Sequence, residues 1–215
     1  MGDGRHRQRF HGQIAGLGSA SGTRVVVGRW ATSPFGSFAD VMLERADGHR
    51  VLYAPSREVG DFIADTYVFD EIRTLPVVVE VVDGRWSVHA DDLHLQFTTG
   101  RRLPLGWALH VVPRPLAQST TWAGLVDPVA RRVLRGVSTR GQARSGRREW
   151  YGATDLHAVT SLRGRLGGVP LGALTRVDPP TRFGFSSTPP RPSVTTVVTT
   201  VEVLQALRRP GGAVP

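Results

Sequence analysis

Residues 147–157 read Arg-Arg-Glu-Trp-Tyr-Gly-Ala-Thr-Asp-Leu-His, a dense run of charged, phenolic and imidazole groups. In an extended segment successive side chains alternate between faces, which predicts Glu149, Tyr151, Ala153, Asp155 and His157 on one side. Glu149, Asp155 and His157 are the side chains there that could move a proton, and Arg148 could pair with an anion. A second segment, residues 178–193, carries Arg182, Phe183, Phe185 and Ser186 between the pairs Pro179-Pro180 and Pro189-Pro190. Proline fixes φ and removes a donor, so this loop is expected to be stiff. A guanidinium held in a stiff loop loses little entropy on gripping a carboxylate, which makes Arg182 the expected anion-holding group. Together the two segments predict a polar pocket with Phe183 and Phe185 as apolar walls. The alternative is structural: Arg148 and Glu149 form a surface pair, and the two phenylalanines cover a barrel mouth.

Other chemistries are excluded by residue type. All 27 basic residues are arginine, so no side-chain amine can form a Schiff base or reach a phosphate as a Walker lysine. Cysteine is absent, which removes thiol nucleophiles and thiolate metal sites and fits a reducing cytoplasm. Gly184-Phe185-Ser186-Ser187-Thr188 lacks the closing glycine of a nucleophile elbow, and Pro189-Pro190 blocks the helix that must follow such a serine. His89, Asp91, Asp92 and His94 are ligand types for zinc or manganese. They span a strand end and a turn with no third histidine in register, so a solvated turn and no metal are expected. The glycines of residues 16–22 miss dinucleotide spacing and lead into Val25-Val26-Val27, a strand, so no nucleotide cofactor is expected. A formal charge of +9 would favour nucleic acid, but the arginines are scattered and often lie near acids, so a nucleic-acid partner is not expected.

The elements that must position these groups are short and β-branched. Phe38 to Arg45 and His49 to Ala54 flank Asp47-Gly48; Val77 to Val82 and Arg85 to Ala90 flank Asp83-Gly84; Leu156 to Leu166 and Val169 to Leu174 flank Gly167-Gly168. Each is a hairpin signal. Further strands are predicted at Arg24 to Trp30, Leu93 to Thr98 and Val194 to Val203. Ser56 is a cap for a short helix with Val59, Phe62 and Ile63 on one face, and Asp127-Pro128 opens a second helix through Leu134 that stops at Gly136. The signals between Leu103 and Val126 are mixed. The fold class is therefore mainly β with a minor α+β character: an antiparallel, hairpin-built barrel or barrel-like sheet with two short helices. Residues 1–13 are expected to be a disordered basic arm, 14–207 a single β-rich domain, and 208–215 a flexible tail. No run approaches the roughly 18 apolar residues of a membrane span, so no membrane is expected; nothing in the pattern sets the oligomeric state.

Ser33-Pro34-Phe35-Gly36-Ser37-Phe38-Ala39-Asp40-Val41, entering a strand, resembles the Ser-Pro-x-Gly-Pro-aromatic-x-acid turn of acetoacetate decarboxylase-like barrels. The resemblance puts Asp40 at that family's acidic position and implies a shared barrel with a pocket for a small keto acid. The family's Schiff-base lysine has no counterpart here, so its decarboxylase activity is not implied. The expected function is a cytoplasmic β-barrel that binds a small carboxylate-type ligand, with lyase or isomerase chemistry by acid and base groups. The alternatives are an arginine-rich adaptor for nucleic acid or an acidic protein, and a structural protein without a small ligand. A steep loss of affinity with salt would mark the adaptor.

Overall fold

The computed structural model of the protein describes residues 5–113, 140–142, 148–184 and 187–204. In chain order the elements are β1 (Arg5–Ser19), β2 (Arg24–Thr32), β3 (Phe38–Glu44), β4 (Arg50–Ala54), α1 (Arg57–Ala64), β5 (Glu71–Thr74), β6 (Val78–Val82), β7 (Arg85–Ala90), β8 (Leu93–Arg102), α2 (Pro104–His110), β9 (Arg140–Gln142), β10 (Arg148–Leu166), β11 (Val169–Pro170), β12 (Leu174–Thr175) and β13 (Ser193–Leu204). Ten of the strands follow one hydrogen-bonded path, β5-β4-β3-β2-β1-β13-β10-β8-β7-β6, and β9, β11 and β12 pair to its sides. The sheet curls into a half-barrel.

The hairpins form where turn chemistry and alternation agree. Asp83 and Gly84 take positive φ values of 49° and 75°, the geometry that lets a two-residue turn follow the twist of β6 and β7. Along β7 the burial alternates, with Trp86, Val88 and Ala90 inward, and Leu93, Leu95 and Phe97 of β8 meet them. These join Ala15, Leu17, Val25, Val27, Val41, Leu43, Val51 and Tyr53 in one core on the concave side. Trp86 and Phe97 stack there at 5.2 Å, so side chains fill this interior.

The opposite face is also covered in places. Ser56 caps α1 by accepting the Val59 N–H, and α1 lays Val59 and Ile63 on Leu52 and Ala54 of β4. Phe10, Phe35 and Phe62 pack together beside it, with the Phe10 and Phe62 rings 5.2 Å apart. Further along, α2 rests beside Leu156 and Ala158 of β10.

The structure departs from expectation in several places. Residues 5–13 are not a loose arm: they form the first part of β1, paired to β13 from Arg5↔Leu204 onward, and Phe10 is buried. One aromatic in a run of polar residues gives too little periodicity to reveal this. The neighbours are not all antiparallel either, because α1 serves as a crossover and leaves β4 and β5 parallel. Of the barrel and the barrel-like sheet that were expected, the path ending at β5 and β6 is the second, a half-barrel. α2 occupies part of the stretch whose signals were mixed. The helix expected at residues 127–136 and the tail at 208–215 lie outside the described residues.

Candidate functional site

The decisive feature of β10 is a register shift between Ala153 and Asp155 against β13. Glu149, Tyr151 and Ala153 pair with Val201, Thr199 and Val197, whereas Asp155 pairs with Thr196 and His157 with Val194. Because faces alternate with period 2, one inserted residue flips everything after it. Glu149 and Tyr151 therefore share the outer face with Phe10 and α1, while Asp155 and His157 turn to the concave side. Uniform alternation had placed all four together, and the bulge separates them into two clusters.

The outer cluster is built from five strands and the segment after α1. Register aligns Tyr151 with Thr199 and Phe10, and Ala153 with Val197, Gly12 and Trp30. Gly28 then aligns with Asp40 of β3. Asp40 is buried, and its Oδ1 accepts the Trp30 Nε1–H at 2.8 Å. The hydrogen bond requires glycine at position 28, since a Cβ there would sit 2.3 Å from Asp40 Oδ1 and 2.7 Å from Trp30 Nε1. Burial pushes the Asp40 carboxyl up to about 6, with the Trp30 hydrogen bond pulling weakly the other way. A few residues along, the Tyr67 hydroxyl donates to Glu149 Oε2 at 2.9 Å and lies in short contact with the Tyr151 hydroxyl. Burial first, and the nearby Glu149 carboxyl second, push both phenols well above their ordinary range, so both stay protonated at neutral pH.

This face thus holds two buried carboxyl groups and two phenols beside an aromatic wall, with Trp30 packed edge-on against Phe10 at 5.8 Å. Asp40 is poised to gain or lose a proton near neutrality, and the phenols can pass a proton toward Glu149. Tyr67 also lines a shallow cleft of about 200 Å³ formed by residues 64–69 and Ile72, which opens to solvent. Thr199 adds a buried hydroxyl with no hydrogen-bond partner among the described residues, in register with Tyr151.

The inner cluster sits at the rim of the concave side. Arg102 Nε and Nη2 donate to the two oxygens of Asp155, each at 2.8 Å, and the guanidinium lies 4.6 Å over the Trp107 ring. Both His157 nitrogens face oxygens, Nε2 at 3.3 Å from Asp155 and Nδ1 at 3.1 Å from the Gly100 carbonyl. Burial alone would raise the Asp155 carboxyl, but the Arg102 and Leu156 hydrogen bonds outweigh it and hold it low. With its oxygens engaged in this way, Asp155 orients its neighbours rather than acting as a base.

The expected anion grip at Arg182 is otherwise engaged. Its Nε and its backbone N–H both donate to Glu44, at 2.8 Å and 2.9 Å, and Glu44 has no solvent exposure. Arg24 approaches the same carboxylate at 3.2 Å. Phe183 is buried against Phe69 at 5.6 Å, and its carbonyl accepts the Val68 N–H. The loop is thereby strapped down next to Tyr67, where a Cβ on Gly184 would lie 2.9 Å from the ring. Arg148 is exposed; Phe185 and Ser186 lie outside the described residues. The sequence reading missed Trp30, Tyr67 and Arg102. Only the tryptophan leaves a trace, as a polar-ended aromatic in a strand two residues, one period of alternation, from Gly28. Among the described residues no group of three or more metal-ligating side chains occurs, and no helix is long and apolar enough to cross a membrane.

No protein-family model matches the sequence, and a search of curated proteins returns no match. Among solved structures the chain is similar to a Nitrosomonas europaea protein named as a candidate AttH, at 13% identity and a TM-score of 0.29. That alignment covers 95% of this chain and 53% of the other, so the chain spans about half the length of that protein.

Proposed function

We propose that the protein binds a small polar organic ligand at the outer cluster of Asp40, Tyr67, Glu149 and Tyr151, and exchanges a proton with it, as a lyase or isomerase does. The observation that carries this reading is Asp40, a buried carboxyl whose one hydrogen-bond donor is an indole N–H and whose proton equilibrium is brought to about 6. Structural carboxyls are ordinarily held low by a cation; one pushed toward neutrality by burial is suited to acid–base work. The resemblance of residues 33–41 to acetoacetate decarboxylase-like barrels also points to an acid at this position.

The composition of the site favours a neutral or cationic ligand over a carboxylate, because two carboxyl groups already occupy it and Arg182 is committed to Glu44. Of the four residues Tyr67 also lines the solvent-facing cleft, and it hydrogen-bonds Glu149.

The test is a thermal-shift screen of neutral and amine-bearing metabolites, followed by affinity measurements on Asp40→Asn, Tyr151→Phe and Arg148→Ala. A ligand of this site should lose roughly tenfold or more in affinity on loss of a charge-assisted hydrogen bond at Asp40, and be indifferent to Arg148. Equal affinity for all three variants, or no compound that moves the melting temperature, would reject the site.

A further inference from the structure

Some arginines are ion-paired and others, Arg9, Arg29, Arg45, Arg101, Arg176 and Arg191 included, have no ion pair among the described residues. Arg7, Arg24, Arg50, Arg57, Arg73, Arg102 and Arg182 each have an acidic partner within 4.0 Å. Arg85, Arg163 and Arg165 have no ion pair among the described residues, and the register of the sheet gathers them on one surface. β8 pairs with β10 through Gln96↔Arg163 and His94↔Arg165, and with β7 through Thr98↔Arg85, Gln96↔Ser87 and His94↔His89. Inward residues of these strands enter the concave core, so all of the above point outward, and the three arginines and both histidines are exposed. Neither described helix covers this surface: α1 packs on β4, and α2 packs on β10 at Leu156 and Ala158.

We infer that the outer face of β10, β8 and β7 is a docking surface for the phosphate backbone of double-helical nucleic acid. Strands lie about 4.8 Å apart and alternate residues about 6.8 Å apart along each, so the three guanidiniums span a patch on the order of 10 Å in each direction. Arginine forks match phosphate oxygens with two hydrogen bonds each. Ser87, Gln96 and Thr98 lie between them and are the neutral side-chain types that commonly contact phosphate and sugar. The face carries no Trp, Tyr or Phe ring, and its imidazoles, His89 and His94, pack edge-on against each other at 5.0 Å, which argues against single strands held by base stacking. Its acids lie at its margins: Glu80 across from Ser87 on β6, Asp83 in the β6–β7 turn and Asp91 in the β7–β8 turn. The formal charge of +9 would draw a polyanion toward the chain, and the three arginines of this face, which have no ion pair among the described residues, can meet it. Recognition of this kind is independent of sequence.

The test uses fluorescence anisotropy of labelled 20-base-pair DNA and RNA duplexes over a salt series, with two triple variants of equal net charge. One removes the face (Arg85→Ala, Arg163→Ala, Arg165→Ala); the other removes exposed arginines elsewhere (Arg57→Ala, Arg176→Ala, Arg191→Ala). The wild type is expected to bind either duplex, with affinity falling steeply as salt rises. Each phosphate contact contributes about 0.9 to the log–log salt slope, so the face variant should flatten it by roughly 2 to 3 and weaken binding at least tenfold. The second variant should keep the wild-type slope. Equal effects of the two variants would reduce the binding to diffuse charge. Failure to bind duplex at 50 mM salt, or tighter binding of anionic vesicles or polyglutamate through the same face, would overturn the assignment.

Discussion

Arg73 Nη1 lies 3.1 Å from Asp92 Oδ1, which ties β5, at one end of the strand path, to the turn between β7 and β8 near the other. The same carboxylate oxygen accepts the hydroxyl of Tyr53 at 3.0 Å, from a ring with no solvent exposure. Among the described residues no backbone ladder joins the ends of the path, so these side chains form a clasp across the opening.

Removing the clasp should expose its cost. Asp92→Ala leaves the Tyr53 hydroxyl without its acceptor and should destabilise by about 1 to 3 kcal/mol, a fall of several degrees in Tm for a chain of this size. Asp61→Ala, which breaks an exposed pair on α1, should change stability by less than about 0.5 kcal/mol. Thermal melts that do not separate the two would show that the sheet holds its curl without the clasp.

Asp40 predicts a pH dependence with an unusual sign. Its carboxyl rises from 3.8 to about 6 on folding, so between those values the folded protein binds more protons than the unfolded chain. Stability from this group is full below about 3.8, declines as pH rises through the window, and stays reduced above 6. Asp40→Asn keeps an acceptor for Trp30 without the charge. It should match the wild type at pH 4 and exceed it at pH 8 by up to about 3 kcal/mol. Urea unfolding at both pH values checks this, and an Asn variant that is less stable at pH 8 would contradict it.

Glu44 and Arg182 should respond unequally. Glu44 is wholly buried between Arg182 and Arg24, and Arg24 is itself 6% exposed at its side chain. Glu44→Ala would strand a buried guanidinium and should cost about 3 to 5 kcal/mol. Arg182 is 66% exposed, so Arg182→Ala should cost about 1 kcal/mol or less. Comparable losses in denaturant titrations would mean that the loop, rather than the ion cluster, carries the energy.

The hairpins at Asp47-Gly48, Asp83-Gly84 and Gly167-Gly168 were legible because turn chemistry and alternation are local properties of the chain. The capped helix at Ser56 was legible for the same reason. Contacts that depend on the third dimension were not. Tyr67 meets Glu149 across 82 positions of sequence, and no local pattern announces that pairing. The bulge after Ala153 has one local mark, Gly152, an isolated glycine inside a strand pattern; alternation was carried straight through it and merged two separate clusters. The first part of β1 was hidden because its outward residues before Ile14, except Phe10, are polar or glycine, and from Arg5 to Phe10 only the pairing with β13 makes it a strand.

The position of β13 governs the order of assembly. Residues 5–74 supply one run of neighbouring strands, β5 through β1, and residues 78–166 supply the other, β10 through β6. The two runs join through β13, and the Arg7–Glu202 contact closes a separation of 195 residues. A chain emerging from the ribosome can wind both half-sheets early, but each then presents a long unpaired edge, at β1 and at β10, until residues 193–204 arrive. Nascent or truncated forms lacking that strand would offer both edges to other chains, so the completed fold is slow to form and its precursors are prone to aggregate.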